Sequence, residues 1–117
     1  MTKRLFIEFL QDILEAIADI ESFTNDIDFQ EFQANREKVF AVVKFLEIIG
    51  EAVKKIPEEQ RVNYPEISWK SVAGMRDVLV HEYWRIDEAI MWETIQTTLP
   101  PLKIVIQKML SQEGAAP

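Results

Sequence analysis

Apolar residues recur every three or four positions from the start of the chain, at Leu5, Phe6, Phe9, Leu10, Ile13, Leu14, Ile17 and Ile20. That spacing keeps one side of an α-helix apolar and predicts a first helix over about residues 3 to 23. Between them Glu8, Asp12, Glu15 and Asp19 fall four, three and four apart, which puts four carboxylates on one stripe. Such a stripe resembles a carboxylate metal site. It has no accompanying histidine and no facing row of acids, so it reads as a solvated surface opposite the core.

The segment NDIDFQEFQ carries capping residues and predicts a short connection, with Asp28 and Glu31 spaced as a capping box. Val39, Val42, Val43, Phe45, Leu46, Ile49, Val53 and Ile56 then hold a helical period, so a long helix is expected from Phe32 through Ile56, stopped by Pro57. Within it stands Gly50, which costs roughly 1 kcal/mol relative to alanine in a helix interior. A glycine kept at such a position lets another backbone approach. Its neighbour Glu51 reads as one half of a semi-buried pair with a lysine or arginine rather than as a catalytic group.

Residues 57 to 65 show no helical period and predict an ordered loop anchored by Tyr64 and Ile67. Ser68 then sits at an N-cap position for a third helix, with Val72, Met75 and Leu79 on its core side, expected to end at about residue 81 or 83. Asp87 is a second N-cap candidate, opening a fourth helix through Ile90, Trp92 and Ile95. Pro100 and Pro101 break or kink that helix before LKIVIQKML resumes. The sum is an all-α, antiparallel four- to five-helix bundle without a strand pattern. It forms one domain over residues 1 to 117, with its core at about 3 to 111 and a frayed tail at 112 to 117.

Composition narrows the chemistry. The 117 residues include no cysteine, which excludes disulfides and thiolate metal sites and fits the cytoplasm. The apolar start is interrupted by Glu8, Gln11 and Asp12, unlike a signal peptide, and no run is long enough to span a membrane. A soluble protein is expected. The net charge of -7 speaks against general nucleic-acid binding. Most of that charge is local, however: residues 1 to 31 hold eight acids and two bases, and the other 86 residues are nearly neutral.

The only histidine, His81, lies in GMRDVLVHEYW, five residues after Arg76 and two before Tyr83. At about 100° per residue, a regular helix would separate Arg76 from His81 by about 140°, so the two would flank the exposed side without converging. Asp77 and His81, four apart, would share a side. Two copies of the helix meeting across a two-fold axis would gather two arginines and two histidines in one groove. Such a groove suits RNA cleavage, with one imidazole as base, one imidazolium as acid and arginine on the phosphate. On the residues alone, His81 reads first as a helix-terminus residue, stabilising the end or capping a carbonyl, and Tyr83 as a core or interface residue. A metal site at His81 is disfavoured by the lack of a second histidine or a cysteine.

This motif resembles that of the HEPN superfamily, and within it the HepT-like toxins encoded beside a minimal nucleotidyltransferase antitoxin. The superfamily signature is an arginine, a polar residue, a short gap and a histidine, filled here by Arg76, Asp77 and His81, with Tyr83 completing the HepT-like HxY. The family's other features follow in order: DIL at 12 to 14, GEA at 50 to 52, YP at 64 to 65, Trp69, GMR at 74 to 76, ID at 86 to 87 and Trp92. Asp77 departs from the asparagine common in the family. A carboxylate there would raise the His81 pKa if the two lay side by side.

The resemblance implies a homodimeric endoribonuclease toxin that needs neither metal nor other cofactor, with Arg76 and His81 catalytic and Asp77 supporting. It also implies RNA as substrate, and neutralisation when the antitoxin transfers AMP from ATP to Tyr83. Two alternatives remain at this point: a non-catalytic nucleotide- or partner-binding subunit of a nucleotidyltransferase complex, and a purely structural helical dimer.

Overall fold

The computed structural model describes residues 2–82 and 85–114, the side chains of His81 and Glu82 excepted. Four longer helices carry the architecture: α1 (Lys3–Thr24), α3 (Arg36–Lys54), α7 (Glu88–Thr97) and α8 (Leu99–Gln112). Four short ones connect them: α2 (Phe29–Ala34), α4 (Glu58–Arg61), α5 (Trp69–Ala73) and α6 (Met75–Leu79). Between α6 and α7 lies a small antiparallel ribbon of β1 (Val80–Glu82) and β2 (Arg85–Ile86). Among the described residues the chain is an all-α bundle to which this short ribbon is added. No described helix is long and apolar enough to cross a membrane.

The amphipathic period of α1 buries Phe6, Leu10, Ile13, Ile17 and Ile20 against α3 and α8. Contacts at the C-terminal end of α1 fix the directions. The Lys38 ammonium donates to the Phe23 carbonyl at 3.0 Å and Phe23 stacks on Phe45, so the end of α1 meets the start of α3 and the pair is antiparallel. Lys103 pairs with Glu21 at 3.1 Å, joining the end of α1 to the start of α8 in the same sense. Leu46, Ile49, Leu102 and Ile106 complete the buried centre.

Local signals set many of the boundaries. The Asp28–Glu31 capping box forms, with the Glu31 N–H donating to Asp28 Oδ1 at 2.9 Å and the Asp28 N–H to Glu31 Oε1 at 3.3 Å. Asp87 caps α7 through the Ile90 N–H at 3.0 Å. Pro100 and Pro101 fall in the first turn of α8, where their missing N–H groups have no partner to lose. Ser68 is the N-cap of α5 by position but accepts no capping hydrogen bond.

Three expectations are corrected. The long helix read over residues 32 to 56 is two helices, split where Asn35 turns extended and its side chain accepts from the Lys38 N–H at 3.1 Å. A short asparagine side chain competes well with helix continuation. Residues 57 to 65 include the single turn α4, whose Arg61 donates to the Val53 and Ile56 carbonyls at 2.7 and 3.0 Å and so closes the end of α3. The third helix is broken at Gly74 into α5 and α6, and α6 ends at Leu79 rather than 81 or 83.

Two loop anchors hold as expected. Tyr64 and Ile67 are buried, the Tyr64 hydroxyl meets Gln112 Oε1 at 2.9 Å, and the Trp69 indole donates to the Tyr64 and Arg61 carbonyls.

Candidate active site at the end of helix α6

Gly50 determines how closely the motif approaches α3. A Cβ placed there would stand 3.1 Å from the Ala73 carbonyl oxygen and 3.5 Å from that of Val72. The end of α5 therefore crosses α3 at backbone contact, which only glycine permits without displacement. Gly74 follows, and α6 starts one residue beyond this crossing.

Helix α6 is five residues long and sharply two-sided: Met75 and Leu79 are buried, whereas Arg76, Asp77 and Val78 are exposed. It stops because Val80 adopts φ -117° and ψ 98°, an extended conformation. The valine-rich run VLV favours that change, since β-branched side chains fit a pleated ribbon better than a helix. Val80 pairs with Ile86 and Glu82 with Arg85, so two steps along β1 match one along β2, and His81 is the extra residue of a bulge. The Asp87 N–H donates to the Leu79 carbonyl at 2.8 Å and ties the end of α6 to the start of α7.

This change of backbone removes the helical geometry expected for the motif. The separation of about 140° between Arg76 and His81 applies to a continuous helix, and none continues past Leu79. For the same reason Asp77 and His81 are not helical neighbours at i and i+4. The backbone of His81 lies in β1; its side chain, and the whole of Tyr83, lie outside the described residues.

The Arg76 guanidinium is half-exposed and flanked by two carboxylates. Its Nε lies 3.5 Å from Glu47 Oε1 on α3, and one terminal nitrogen lies 3.8 Å from Asp77 Oδ1. Asp77 itself is 85% exposed. Glu47 is not among the residues the sequence marks, whereas Glu51, expected in a semi-buried pair, pairs with Lys54 at 3.0 Å on the open surface. The expected lysine partner is present, but the pair is not semi-buried. The available signal for Glu47 was its place three residues before Gly50, on the side of α3 where the crossing occurs.

Beside α6 a cavity of about 380 Å³ opens between α5–α6 and α7–α8, with Val78 and Ile90 exposed at its margin. The acidic stripe of α1 is solvated: Glu8, Asp12 and Glu15 are exposed and Asp19 is half-buried. Among the described residues no group of three or more histidine, aspartate or glutamate side chains is gathered as a metal site. A half-exposed cation on a one-turn helix, with a histidine-bearing ribbon leading from the end of that helix, is an arrangement suited to an anionic substrate.

Residues 13–109 match the family model described as Ribonuclease HepT-like. The chain is 46% identical over 110 residues to the Methanocaldococcus jannaschii protein named "Putative RNase MJ0125", covering 94% of this chain and 95% of that one. It is 43% identical over 107 residues to the Thermococcus cleftensis protein named "Probable ribonuclease HepT", covering 92% and 97%. A Caldanaerobacter subterraneus protein named "Putative RNase TTE0752" is 38% identical over 105 residues, covering 90% and 94%. No solved structure matches the chain.

Proposed function

Because the chain belongs to the HepT-like ribonuclease family, we propose that it is the endoribonuclease toxin of a toxin-antitoxin pair and cuts RNA in a groove shared by two copies. The observation that supports this reading is the shortness of α6, which carries the Arg76 cation in its one turn and passes at Leu79 directly into the bulged strand whose backbone includes His81.

In the proposed reaction the neutral His81 imidazole of one protomer takes the proton of a ribose 2'-hydroxyl. The 2'-oxygen attacks the adjacent phosphorus, and the bond from phosphorus to the 5'-oxygen breaks. The partner protomer's histidine, protonated, gives its proton to that leaving oxygen, so the products are a 2',3'-cyclic phosphate and a 5'-hydroxyl. Arg76 neutralises the charge gathering on the phosphoryl oxygens of the pentacoordinate intermediate. These groups complete the transesterification without a metal ion or other cofactor. Asp77 supports the site as a polar residue on the exposed side of α6, a role asparagine would also fill, while its charge draws on one Arg76 terminal nitrogen at 3.8 Å.

Two histidines require two chains, since each chain has one. A two-fold arrangement supplies them and would also cover Val78 and Ile90, exposed by 54% and 39%. The partner antitoxin, a minimal nucleotidyltransferase, acts on Tyr83 by transferring AMP from ATP. The added anionic nucleotide, two residues from His81, repels RNA phosphate and fills the groove.

The test is RNA cleavage by the purified, unmodified protein in the presence of a chelator, with His81→Ala and Arg76→Ala alongside. The reading expects cleavage by the wild type and its loss in both variants, whose far-ultraviolet circular dichroism stays unchanged. Retained cleavage in both folded variants would refute it. Tight antitoxin binding without any cleavage would favour the non-catalytic subunit. The switch is read separately by intact mass: added AMP in the wild type and none in Tyr83→Phe.

A further inference from the structure

We infer that Glu47 is the positioning residue for Arg76, holding the guanidinium by its Nε so that the two terminal nitrogens are delivered to the RNA phosphate. The inference rests on the reading that Arg76 serves phosphate chemistry, and it adds a residue 29 positions away in sequence.

The geometry begins at Gly50. Because α3 and the end of α5 touch backbone to backbone there, α6 starts within side-chain reach of the α3 turn that precedes the glycine. Glu47 occupies that turn, and its Oε1 accepts from Arg76 Nε at 3.5 Å. The distance is at the long end for a hydrogen bond, so the contact is an ion pair between half-exposed groups that a bound phosphate can tighten. The competing carboxylate on α3, Glu51, is engaged by Lys54 at 3.0 Å.

The choice of Nε matters. A guanidinium is planar, with one N–H at Nε and two at each terminal nitrogen. Fixing Nε sets the orientation of the plane and turns the terminal nitrogens outward, one open and one 3.8 Å from the exposed Asp77 carboxylate, which a phosphate would displace to take both. Without Glu47 the nearest carboxylate is Asp77, whose Oδ1 faces a terminal nitrogen at 3.8 Å. Arg76 would then turn toward Asp77 and use part of the fork intended for the substrate.

An ion pair with side chains 48% and 36% exposed adds little to stability. Its contribution is therefore to be sought in turnover. A misplacement on the order of 1 Å in a reacting group can cost about 100-fold in rate.

The experiment measures kcat and KM for RNA cleavage in the wild type, Glu47→Ala, Glu47→Gln, Arg76→Ala and the double variant Glu47→Ala/Arg76→Ala, together with the ¹H–¹⁵N resonance of Arg76 Nε. Glu47→Ala should lower kcat by about 10- to 100-fold with a smaller change in KM and no loss of thermal stability. Glu47→Gln, which keeps an acceptor oxygen, should recover most of the rate. The double variant should be no slower than Arg76→Ala alone, because Glu47 acts only through Arg76.

The Nε resonance should shift in Glu47→Ala and much less in Glu47→Gln. Glu47→Ala cleaving within about twofold of the wild type, or rate losses that multiply in the double variant, would overturn the inference. Should the wild type itself fail to cleave RNA, the ribonuclease reading falls. The Nε resonance still decides the contact: no shift in Glu47→Ala refutes it.

Discussion

The meeting of α1, α3 and α8 and the junction of α6 with the ribbon are built to opposite rules. In the first, Leu10, Ile13, Ile20, Ile49, Leu102 and Ile106 are fully enclosed. In the second, three of five α6 residues face solvent, and the helix gives way to a bulged strand after Leu79. The first region stores stability and the second displays charge. Gly50 joins them, since it belongs to the helix of the core and sets the distance to the chain that carries Arg76.

The contrast can be broken by substitutions ordered by their effect on stability. Leu10→Ala removes a fully buried side chain from the three-helix centre and should cost roughly 2–5 kcal/mol. Urea unfolding reads this as a lower midpoint at unchanged slope. Gly50→Ala forces a Cβ against the Ala73 carbonyl oxygen and should cost about 1–3 kcal/mol. It should also slow RNA cleavage by pushing Glu47 and Arg76 apart, so one thermal melt and one cleavage assay check both halves. Asp87→Ala removes the cap of α7 and should cost about 1 kcal/mol, read by the same unfolding curve.

At the other end of the scale, Arg76→Ala should leave stability within about 0.5 kcal/mol of the wild type, because both its ion pairs are exposed. Its cleavage rate should nevertheless fall by roughly 100- to 1,000-fold, the usual cost of losing one donor to a developing oxyanion. Asp77→Asn is the smallest change. It removes a carboxylate 3.8 Å from the guanidinium and should lower KM for RNA a few-fold without altering the melting curve. An unchanged or raised KM would show that Asp77 does not compete with the substrate.

What could be read from the sequence divides along the same line. The apolar period of α1, the Asp28 capping box, the Asp87 cap, the proline pair opening α8 and the tolerance of Gly50 for a second backbone are all local patterns with direct structural causes. The break at Asn35 was hidden because the apolar residues around it keep a helical period and one capping side chain overrides them.

The end of α6 was missed for a related reason: Met75 and Leu79 satisfy helical spacing, while the β-branched pair Val78 and Val80 was given no weight. The helical arrangement expected for Arg76, Asp77 and His81 therefore does not form, because the backbone leaves the helix at Val80. For Glu47 the sequence offers only its spacing from Gly50, because its partner lies 29 residues away and the crossing at Gly50 is what brings them together.

The most direct test of a single site built from two chains is a mixing experiment with His81→Ala subunits. Wild-type and variant chains are refolded together over a range of ratios, and cleavage is measured at fixed total protein. A groove that needs both histidines is active only when both copies are wild type, so the rate should follow the square of the wild-type fraction. A rate proportional to the wild-type fraction itself would contradict the account, because each chain would then cut RNA alone.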